Sequence, residues 1–383
     1  MLKIEGQFVL NLSIGEINLN DAQSSLDLQE IEMIESVGTS LPVIRGTLFV
    51  REFQVRALFH EGNKLVVGFG QHEVDIDTTF IMTNISVQRV SAQYLITFTG
   101  VYDALSYLSE HKQRAYPNTS AISAIKTVAK AHFHHVDSNI AESQDKQTWL
   151  QPNDTDKKFI SDTWLYADLP NSMPMVAINT TGEFLIRDLQ TLVAKNGSDP
   201  HWRFLPNISS EGLKNTIWYS GDYLINTNSG FTNHWLGYGN ALDVRDRDLG
   251  EYETVLEEPI PQLVKASAFP RRSDVNGRRG TPQWLNDNQH ARYWHAYHQN
   301  ITSLALFSTV TVKLSYSDTL HSDMKVLDLA SFLEADSSNS QVDKTHTGLY
   351  IISKISRKFT KNHIVTTVEL SRESHEGITG DIR

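Results

Sequence analysis

Residues 148–189 read TWLQPNDTDKKFISDTWLYADLPNSMPMVAINTTGEFLIRDL, a pattern that predicts a helix followed by a hairpin. Asp154 or Thr155 can cap the helix, because both side chains accept hydrogen bonds from free backbone N–H groups. Four apolar residues then fall on one side of it: Phe159, Ile160, Trp164 and Leu165. A proline disfavours helical geometry in the residue before it, so the helix is predicted to end near Leu169-Pro170.

The hairpin follows at once in the sequence. Residues 175–178 and 184–187 are short apolar runs typical of paired strands. The turn between them, residues 180–183, contains Gly182 where a positive φ is expected. The unit is therefore predicted as helix, strand, turn, strand.

The first hundred residues show a period of two, which is typical of antiparallel strands. Residues 47–50, 64–69 and 80–87 are apolar runs separated by Gly, Asn and Asp. We expect Ile81, Ile85 and Val87 to share one face of the third run. Several strands at this spacing predict a small sandwich or barrel.

Residues 103–108 change to a helical period, and a second helix is predicted from a Thr119 or Ser120 cap. Its apolar side would consist of Ile122, Ile125, Val128 or Ala129, and Phe133. His132, His134 and His135 at its end favour either a metal site or ordinary polar residues at a helix end. Histidines this close in one turn cannot all face one ion, and no second cluster of histidines and carboxylates offers the remaining ligands, so we predict no metal-binding residue. We also predict no catalytic and no cofactor-binding residue.

The composition argues against several classes of protein. The 383 residues include 45 acidic and 34 basic ones, a formal net charge of −11. This charge argues against a nucleic-acid-binding protein. The absence of cysteine excludes disulfides and thiolate chemistry. No apolar run approaches the ~20 residues that span a bilayer. The acid within residues 1–5 does not suit a signal peptide, so we expect the chain to start here, in the cytoplasm.

The two ends of the chain resemble each other. Residues 80–86 and Thr97 align without a gap with residues 350–356 and Thr367. Apolar positions agree as well, Leu95 with Val365 and Phe98 with Val368. Residues 309–314 would then stand for the earlier strand at 64–67. The alignment predicts two copies of one β domain.

This order of elements is similar to that of the baseplate hub proteins of tailed phages and of the related spike-base proteins of type VI secretion. The resemblance implies an α+β, β-rich fold with two tail-tube-like antiparallel β-sandwich or barrel domains, an intervening helix-plus-hairpin domain and an insertion. The predicted domain limits are 1–102 for the first β domain, 103–215 for the helical and hairpin domain, 216–245 with 301–372 for the second β domain, 246–300 for the insertion, and 373–383 for a mobile tail.

The resemblance also implies a function. Members of that family are trimers, and three chains with two copies each give six quasi-equivalent positions, so that a threefold spike can join a sixfold tube. The chain would be a structural hub in the virion tail baseplate, made and assembled in the host cytoplasm, with no enzymatic activity and no cofactor.

The implied partners are two further chains of the homotrimer, the tail tube protein and the central spike protein. Tape-measure and baseplate wedge proteins are additional candidates. DNA would pass through the lumen without specific binding, since like charges weaken attachment to phosphates. Because the sequence closes at Arg383, we expect the spike to be a separate polypeptide.

Two segments of the second half have alternative interpretations. Arg271, Arg272, Arg278 and Arg279 form a basic loop, which is either solvated surface or a dock for an acidic partner. Residues 283–306 have a helical pattern with several aromatic side chains: Trp284, Tyr293, Trp294 and Tyr297. His290 and Trp294, or Tyr293 and Tyr297, are four residues apart and would stack along one face. An aromatic helix is more typical of a core than of a cofactor site.

The sequence contains no Gly-x-Ser-x-Gly, no His-Glu-x-x-His and no phosphate-binding glycine loop. The paired acids of a glycosidase are placed by folding and leave no motif, so a tail-associated cell-wall or polysaccharide hydrolase is the alternative function. A carbohydrate-binding receptor module is a third hypothesis, which rests only on exposed Trp and Tyr.

Overall fold

The computed structural model describes residues 2–4, 8–19, 26–71, 73–170, 172–206, 215–219, 222–227, 242–245, 252–255, 283–284, 289–317, 320–334, 343, 345–361 and 363–373. In these ranges the helices are α1 (Phe53–Arg56), α2 (Leu105–Ser109), α3 (Ala121–Ala129), α4 (Asp156–Leu165), α5 (Leu189–Asn196) and α6 (Tyr293–Phe307). The strands up to the central unit are β1 (Leu2–Ile4), β2 (Phe8–Ile14), β3 (Ile17–Asn18), β4 (Leu26–Val37), β5 (Val43–Val50), β6 (Lys64–Gln71), β7 (Ile76–Val90), β8 (Gln93–Tyr102), β9 (His111–Thr119), β10 (His135–Ser138), β11 (Gln147–Thr155), β12 (Pro174–Ile178) and β13 (Glu183–Asp188). The later strands are β14 (Trp202–Pro206), β15 (Thr216–Tyr219), β16 (Tyr223–Thr227), β17 (Leu242–Arg245), β18 (Tyr252–Val255), β19 (Gln283–Trp284), β20 (Val310–Ser317), β21 (Leu329–Phe332), β22 (Gly348–Thr360) and β23 (Ile364–Arg372).

The helix-plus-hairpin unit is confirmed. Thr155 caps α4, because its hydroxyl accepts a hydrogen bond from the Lys158 N–H at 3.2 Å. β12 and β13 pair antiparallel, and Gly182 in the turn between them has a φ of +77°. Ser120 caps α3 in the same way as Thr155 caps α4, and the predicted apolar side of α3 is buried.

The predicted end of the central helix is wrong. α4 ends at Leu165, four residues before Leu169. Asn300 of α6 donates hydrogen bonds from Nδ2 to the carbonyls of Leu165, at 3.0 Å, and of Ala167, at 2.8 Å. A side chain distant in sequence thus satisfies carbonyl groups at the helix end, and the helix stops there.

The first β region follows the predicted antiparallel pattern, with strands in the order β6, β7, β8, β5 and β4. The face predicted for β7 is wrong for Ile81, although Ile85 and Val87 share one face as expected. Phe80 and Met82 point into the core, whereas Ile81 lies on the other face and Ile85 returns to the core side. A bulge between Met82 and Asn84 adds one residue to β7 and shifts the alternation of its side chains.

The two hairpins β7–β8 and β22–β23 have the same register. Each residue pair of the second hairpin lies 270 positions after a pair of the first, so that Ile85 faces Phe98 and Ile355 faces Val368. The bulge of β7 has its counterpart between Ile352 and Lys354 of β22, also 270 positions later. The aligned segments at the two ends of the chain therefore form equivalent hairpins, as the repeat predicted.

One strand of the repeat has a different counterpart from the predicted one. β20 pairs with β23 as β5 pairs with β8, whereas β6 pairs with β7. The counterpart of β6 is β21, which pairs with β22. The prediction that residues 309–314 stand for residues 64–67 is therefore wrong. Apolar alternation identifies a strand but does not identify its neighbour.

The second copy has the strand order β21, β22, β23, β20 and β16, which repeats the order of the first. β4 joins the two copies, because its residues 30–36 pair antiparallel with residues 354–360 of β22. The tip of the second hairpin also enters the core of the first copy, where Phe359 packs edge-on against Phe69 with ring centroids 5.5 Å apart. A second core extends from the helix-plus-hairpin unit into the second copy.

The aromatic helix begins later than the sequence pattern indicates. α6 starts at Tyr293, while Gln283 and Trp284 belong to a strand that pairs with β17. Tyr166, just after α4, stacks on Tyr293 at 4.1 Å and on Tyr297 at 4.7 Å between ring centroids. The aromatic side of α6 thus packs on the central unit, as expected of a core helix.

The basic loop with its four arginines and residues 374–383 of the predicted tail lie outside the described residues. Where the chain is described, no helix has both the length and the apolar character needed to cross a membrane.

Candidate assembly site

β7 exposes one edge. Its residues 76–81 pair with β6, but no described strand pairs on that side with residues 84–90. The side chains of Val87 and Val90 are 36% and 39% exposed. An edge of this kind presents backbone N–H and C=O groups and can receive another strand.

β16 exposes a second edge. β20 pairs along one side of β16, and no described strand pairs along the other. Leu224 is 55% exposed on this strand. Tyr223 is held in place, because its hydroxyl donates a hydrogen bond to Glu334 Oε1 at 2.7 Å. The strand thus combines a fixed position with an apolar side chain in solvent.

Glu334, Asp343 and His346 form a polar cluster behind β16, with ligating atoms within 4.8 Å of one another. His346 Nδ1 lies 2.6 Å from Asp343 Oδ2 and 3.1 Å from Glu334 Oε2. Burial raises the pKa of Glu334. Burial also acts to raise the pKa of Asp343, but hydrogen bonds from Glu334, the Thr345 backbone and His346 outweigh it and lower that pKa. The three groups bind one another, which makes the cluster a structural tie for Tyr223.

A buried ion pair fixes the joint between the two copies. Arg357 of β22 donates from Nη1 to Glu35 Oε1 of β4 at 3.3 Å, and both side chains are about 2% exposed. Arg357 Nη2 also donates to the Met324 carbonyl at 2.8 Å. The second oxygen of Glu35 accepts the Thr180 N–H at 2.5 Å. One carboxylate therefore ties together the first copy, the second copy and the turn of the central hairpin.

A second buried carboxylate organises the central unit. Asp156, in the first turn of α4, accepts hydrogen bonds from Lys112 Nζ at 2.6 Å, His132 Nε2 at 2.6 Å and Gln151 Nε2 at 2.7 Å. Burial acts to raise the pKa of Asp156, but these hydrogen bonds outweigh it and the pKa lies below its ordinary value. Asp156 thus ties α4 to β9, β11 and the segment after α3.

His132 is the one of the three predicted histidines that enters this network. It lies between Ser106 and Asp156, with Ser106 Oγ 3.1 Å from Nδ1. His134 and His135 are exposed. In the described part of the chain, only Glu334, Asp343 and His346 come close enough to share an ion, and the three neighbouring histidines do not.

Ser106, His132 and Asp156 have the residue types of a nucleophile, a base and an orienting acid. The two nitrogens of the His132 ring are used in the opposite order from a catalytic triad. Here Nδ1 faces the serine and Nε2 faces the acid, whereas in a triad Nε2 faces the serine and Nδ1 the acid. Lys112 also pairs with Asp156 and competes for its charge. These features favour a structural role for the network.

An open cleft of about 620 Å³ lies beside α4 and α6. Its walls include Trp149, Tyr166, Tyr293 and Tyr297, with Asp154 among the polar lining residues. Stacking within this group, at 4.1 Å for Tyr166 on Tyr293, occupies ring faces that a sugar would need. The cleft therefore gives little support to the carbohydrate-binding hypothesis.

Sequence reasoning did not single out the two exposed edges or the Glu35–Arg357 pair. Val87 was visible only as one apolar residue of an alternating run, and Glu35 and Arg357 lie 322 residues apart. The aligned repeat links these two features. Val87 occupies the position in the first copy that Arg357 occupies in the second.

No protein-family profile matches this sequence, and neither does any curated protein. Solved structures do match over nearly the full length. A tail protein from Neisseria meningitidis MC58 superposes with a TM-score of 0.58 at 8% identity, covering 96% of this chain and 97% of that one. The 43 kDa tail protein of prophage MuSo2 from Shewanella oneidensis gives 0.58 at 9% identity, covering 96% and 98%.

A third similar structure is an Escherichia coli component of the type VI secretion system, itself described as structurally similar to tail proteins of bacteriophage T4. It gives a TM-score of 0.50 at 9% identity, covering 95% of this chain and 77% of that one. At such low identity these likenesses show the fold alone. The chain therefore has the fold shared by phage tail proteins and spike-related proteins of type VI secretion, and the fold implied by the resemblance is confirmed.

Proposed function

We propose that this chain is a structural hub of a phage tail baseplate, a homotrimeric ring that adapts the sixfold tail tube to the threefold central spike. The observation that carries the proposal is the repeat: one chain holds two five-stranded copies with the same strand order, the same register and the same bulge. Three such chains supply six similar units around one axis, which is what a junction between sixfold and threefold objects requires.

The proposed partners are those that the resemblance to baseplate hub proteins implies. One face of the ring would accept the tail tube protein and the other the central spike protein, with tape-measure and baseplate wedge proteins as further candidates. The proposed location is the baseplate of the virion tail, after assembly in the host cytoplasm. The overall fold supports this role, because tail proteins from two bacteria share it along nearly their whole length.

Light scattering tests the ring. The expected mass is three times the 43.3 kDa of one chain, and class averages from electron microscopy should show a ring with threefold symmetry. A chain that stays monomeric at all concentrations, and also when mixed with its spike, would overturn the hub assignment.

The proposed DNA conduit has its own test. A net charge of −11 disfavours attachment to phosphates, so the purified ring should not retard duplex DNA in a gel at about 0.15 M salt. Retention of DNA that weakens steeply with added salt would instead indicate a phosphate-binding surface and contradict a passive channel.

A tail-associated hydrolase is the second candidate, and the chain of Ser106, His132 and Asp156 is the observation in its favour. Zymography on peptidoglycan discriminates, because a structural hub should leave the gel uncleared. Clearing that disappears in Ser106→Ala, while the folding of that variant is unchanged, would establish the hydrolase. Clearing that persists in Ser106→Ala would place the activity elsewhere in the chain.

A further inference from the structure

Within one chain, the two copies are joined by one pair of strands. The repeat contains the equivalents of both strands, but these equivalents do not pair with each other in a single chain. Inside the chain, residues 354–360 of β22 pair with residues 30–36 of β4. The equivalent of β22 is β7, and the equivalent of β4 is the outermost strand of the second copy, β16. β7 and β16 do not pair with each other, and each has an edge with no described partner.

The equivalence of β4 and β16 rests on register. In the first copy Glu32 lies opposite Arg45, which lies opposite Thr99. In the second copy Leu224 lies opposite Lys313, which lies opposite Glu369. Since Glu369 is 270 positions after Thr99, Leu224 stands in the position of Glu32.

The same reasoning locates the partner of Leu224. In the chain's own joint, Glu32 of β4 lies opposite Lys358 of β22. The residue 270 positions before Lys358 is Gln88 of β7. We propose that β7 of one copy of this chain pairs antiparallel with β16 of a neighbouring copy, with Gln88 opposite Leu224.

This register gives complementary cross-strand pairs. Val87 falls opposite Ile225, so two β-branched side chains meet, and Arg89 falls opposite Tyr223, whose ring can receive a guanidinium. Three apolar side chains that a lone chain exposes lie on the two strands involved: Val87, Val90 and Leu224. Pairing would cover them together with the backbone groups of both edges.

The pairing is head to tail, because each chain offers one β7 edge and one β16 edge. An interface of this type joins copies into a closed ring or an open filament, depending on the rotation between them. The inference rests on the proposed function for the ring, and it adds the strands and the register that close it. In such a trimer, joints within chains alternate with joints between chains.

Cysteine cross-linking tests the register directly, since the chain contains no cysteine of its own. Opposed residues in an antiparallel pair have Cα atoms about 4.5–5.5 Å apart, within the range of a disulfide. The test variant is Gln88→Cys with Leu224→Cys. After oxidation, most of the protein should run as covalent dimers and trimers on a non-reducing gel, and reduction should restore the single chain.

Two matched variants serve as controls. Lys358→Cys with Glu32→Cys occupies the equivalent positions of the joint within one chain, and it should form a disulfide inside the monomer. Gln88→Cys with Asn226→Cys moves the partner by two residues on the same strand, and it should give far less covalent dimer.

The outcomes separate this inference from the proposed function, because the mass of the wild-type protein in solution is measured alongside. A trimeric wild type with no cross-link in the test pair, while the pair within one chain oxidises, would overturn the register and leave the hub standing. A cross-link that favours Asn226 over Leu224 would also overturn the register. A monomeric wild type without cross-links would overturn both.

Discussion

At the scale of single residues, Gly182 shows why the turn of the central hairpin requires glycine. Its φ is +77°, and a Cβ built there would lie 1.9 Å from the hydroxyl oxygen of Tyr102 on β8. The turn therefore sits directly against the first β copy. Thr180, two residues earlier, makes the same connection through Thr78, whose hydroxyl donates to the Thr180 carbonyl at 2.6 Å.

Gly182→Ala should destabilise the fold more than Gly15→Ala. Both glycines have positive φ, which costs alanine about 1–2 kcal/mol, but nothing lies within 4 Å of a Cβ at Gly15. Overpacking against Tyr102 should add about 1–3 kcal/mol at Gly182. Urea denaturation measures both losses, and Tyr102→Phe should partly rescue Gly182→Ala. Equal losses in the two alanine variants would show that Tyr102 moves aside freely.

Arg357→Met should lower the free energy of unfolding by about 3–5 kcal/mol, because it leaves the buried Glu35 carboxylate without its cation. Lys358→Met, one residue further along β22, removes a half-exposed partner of Glu30 and should change stability by less than about 1 kcal/mol. Thermal and urea unfolding of the two variants provide the comparison. A similar, small loss in both would mean that Glu35 does not depend on Arg357.

Asp156 should contribute to acid unfolding. Its pKa is lower in the folded chain than in the unfolded one, so its stabilisation is complete above the unfolded pKa of about 4 and is lost as the pH falls through the folded pKa. The stability difference between wild type and Asp156→Asn should therefore shrink as the pH falls from about 5 to about 2.5. Asp162→Asn, at an exposed position on the same helix, should show no such trend. A pH-independent difference for Asp156→Asn would contradict this account.

At the scale of elements, the free edge of β7 should matter for association and not for folding. Val87→Lys places a charge where Ile225 of a neighbour is expected, and it should weaken the ring about tenfold or more per joint, or about 1.4 kcal/mol. Val74→Lys is the matched control, because Val74 is equally exposed at 37% but lies outside β7. Sedimentation at several concentrations measures the association, with unfolding temperatures recorded at low concentration. A trimer unaffected by Val87→Lys would contradict a role for this edge.

Much of the element order could be predicted from local sequence. The Thr155 and Ser120 caps, the Gly182 turn and the two hairpins all depend on residues within a few positions of one another. The errors arose where a distant partner decides the outcome. Asn300, 135 residues away, binds the carbonyl at the early end of α4, and the bulge in β7 shifts the face of Ile81.

The candidate site was harder to predict than the fold. An exposed edge is the side of a strand on which no other strand pairs. A sequence pattern identifies a strand but does not show which strands lie next to it in the sheet. The repeat was detectable, but its use required the observed pairing of β20 with β23, which corrected the expected counterpart of residues 309–314. Interfaces built from backbone groups leave no motif in the sequence.

At the scale of the whole molecule, stability should depend on protein concentration. A ring that forms only from folded chains stabilises them by mass action, so the unfolding temperature of the wild type should rise as the concentration rises. In Val87→Lys the unfolding temperature should be nearly constant over the same range. Calorimetry at several concentrations provides the measurement, and a constant unfolding temperature for a trimeric wild type would show that its chains gain no stability from association.

The two kinds of joint in such a ring would not be equally strong. Within a chain, the hairpin tip inserts Phe359 beside Phe69, and Arg357 pairs with Glu35 beneath it. At the equivalent positions the first hairpin carries Arg89 and Val87, so its tip has neither the apolar anchor nor the buried ion pair. Under mechanical load a ring of six similar units would therefore part along three seams, and each fragment would leave with both of its β copies still fastened together.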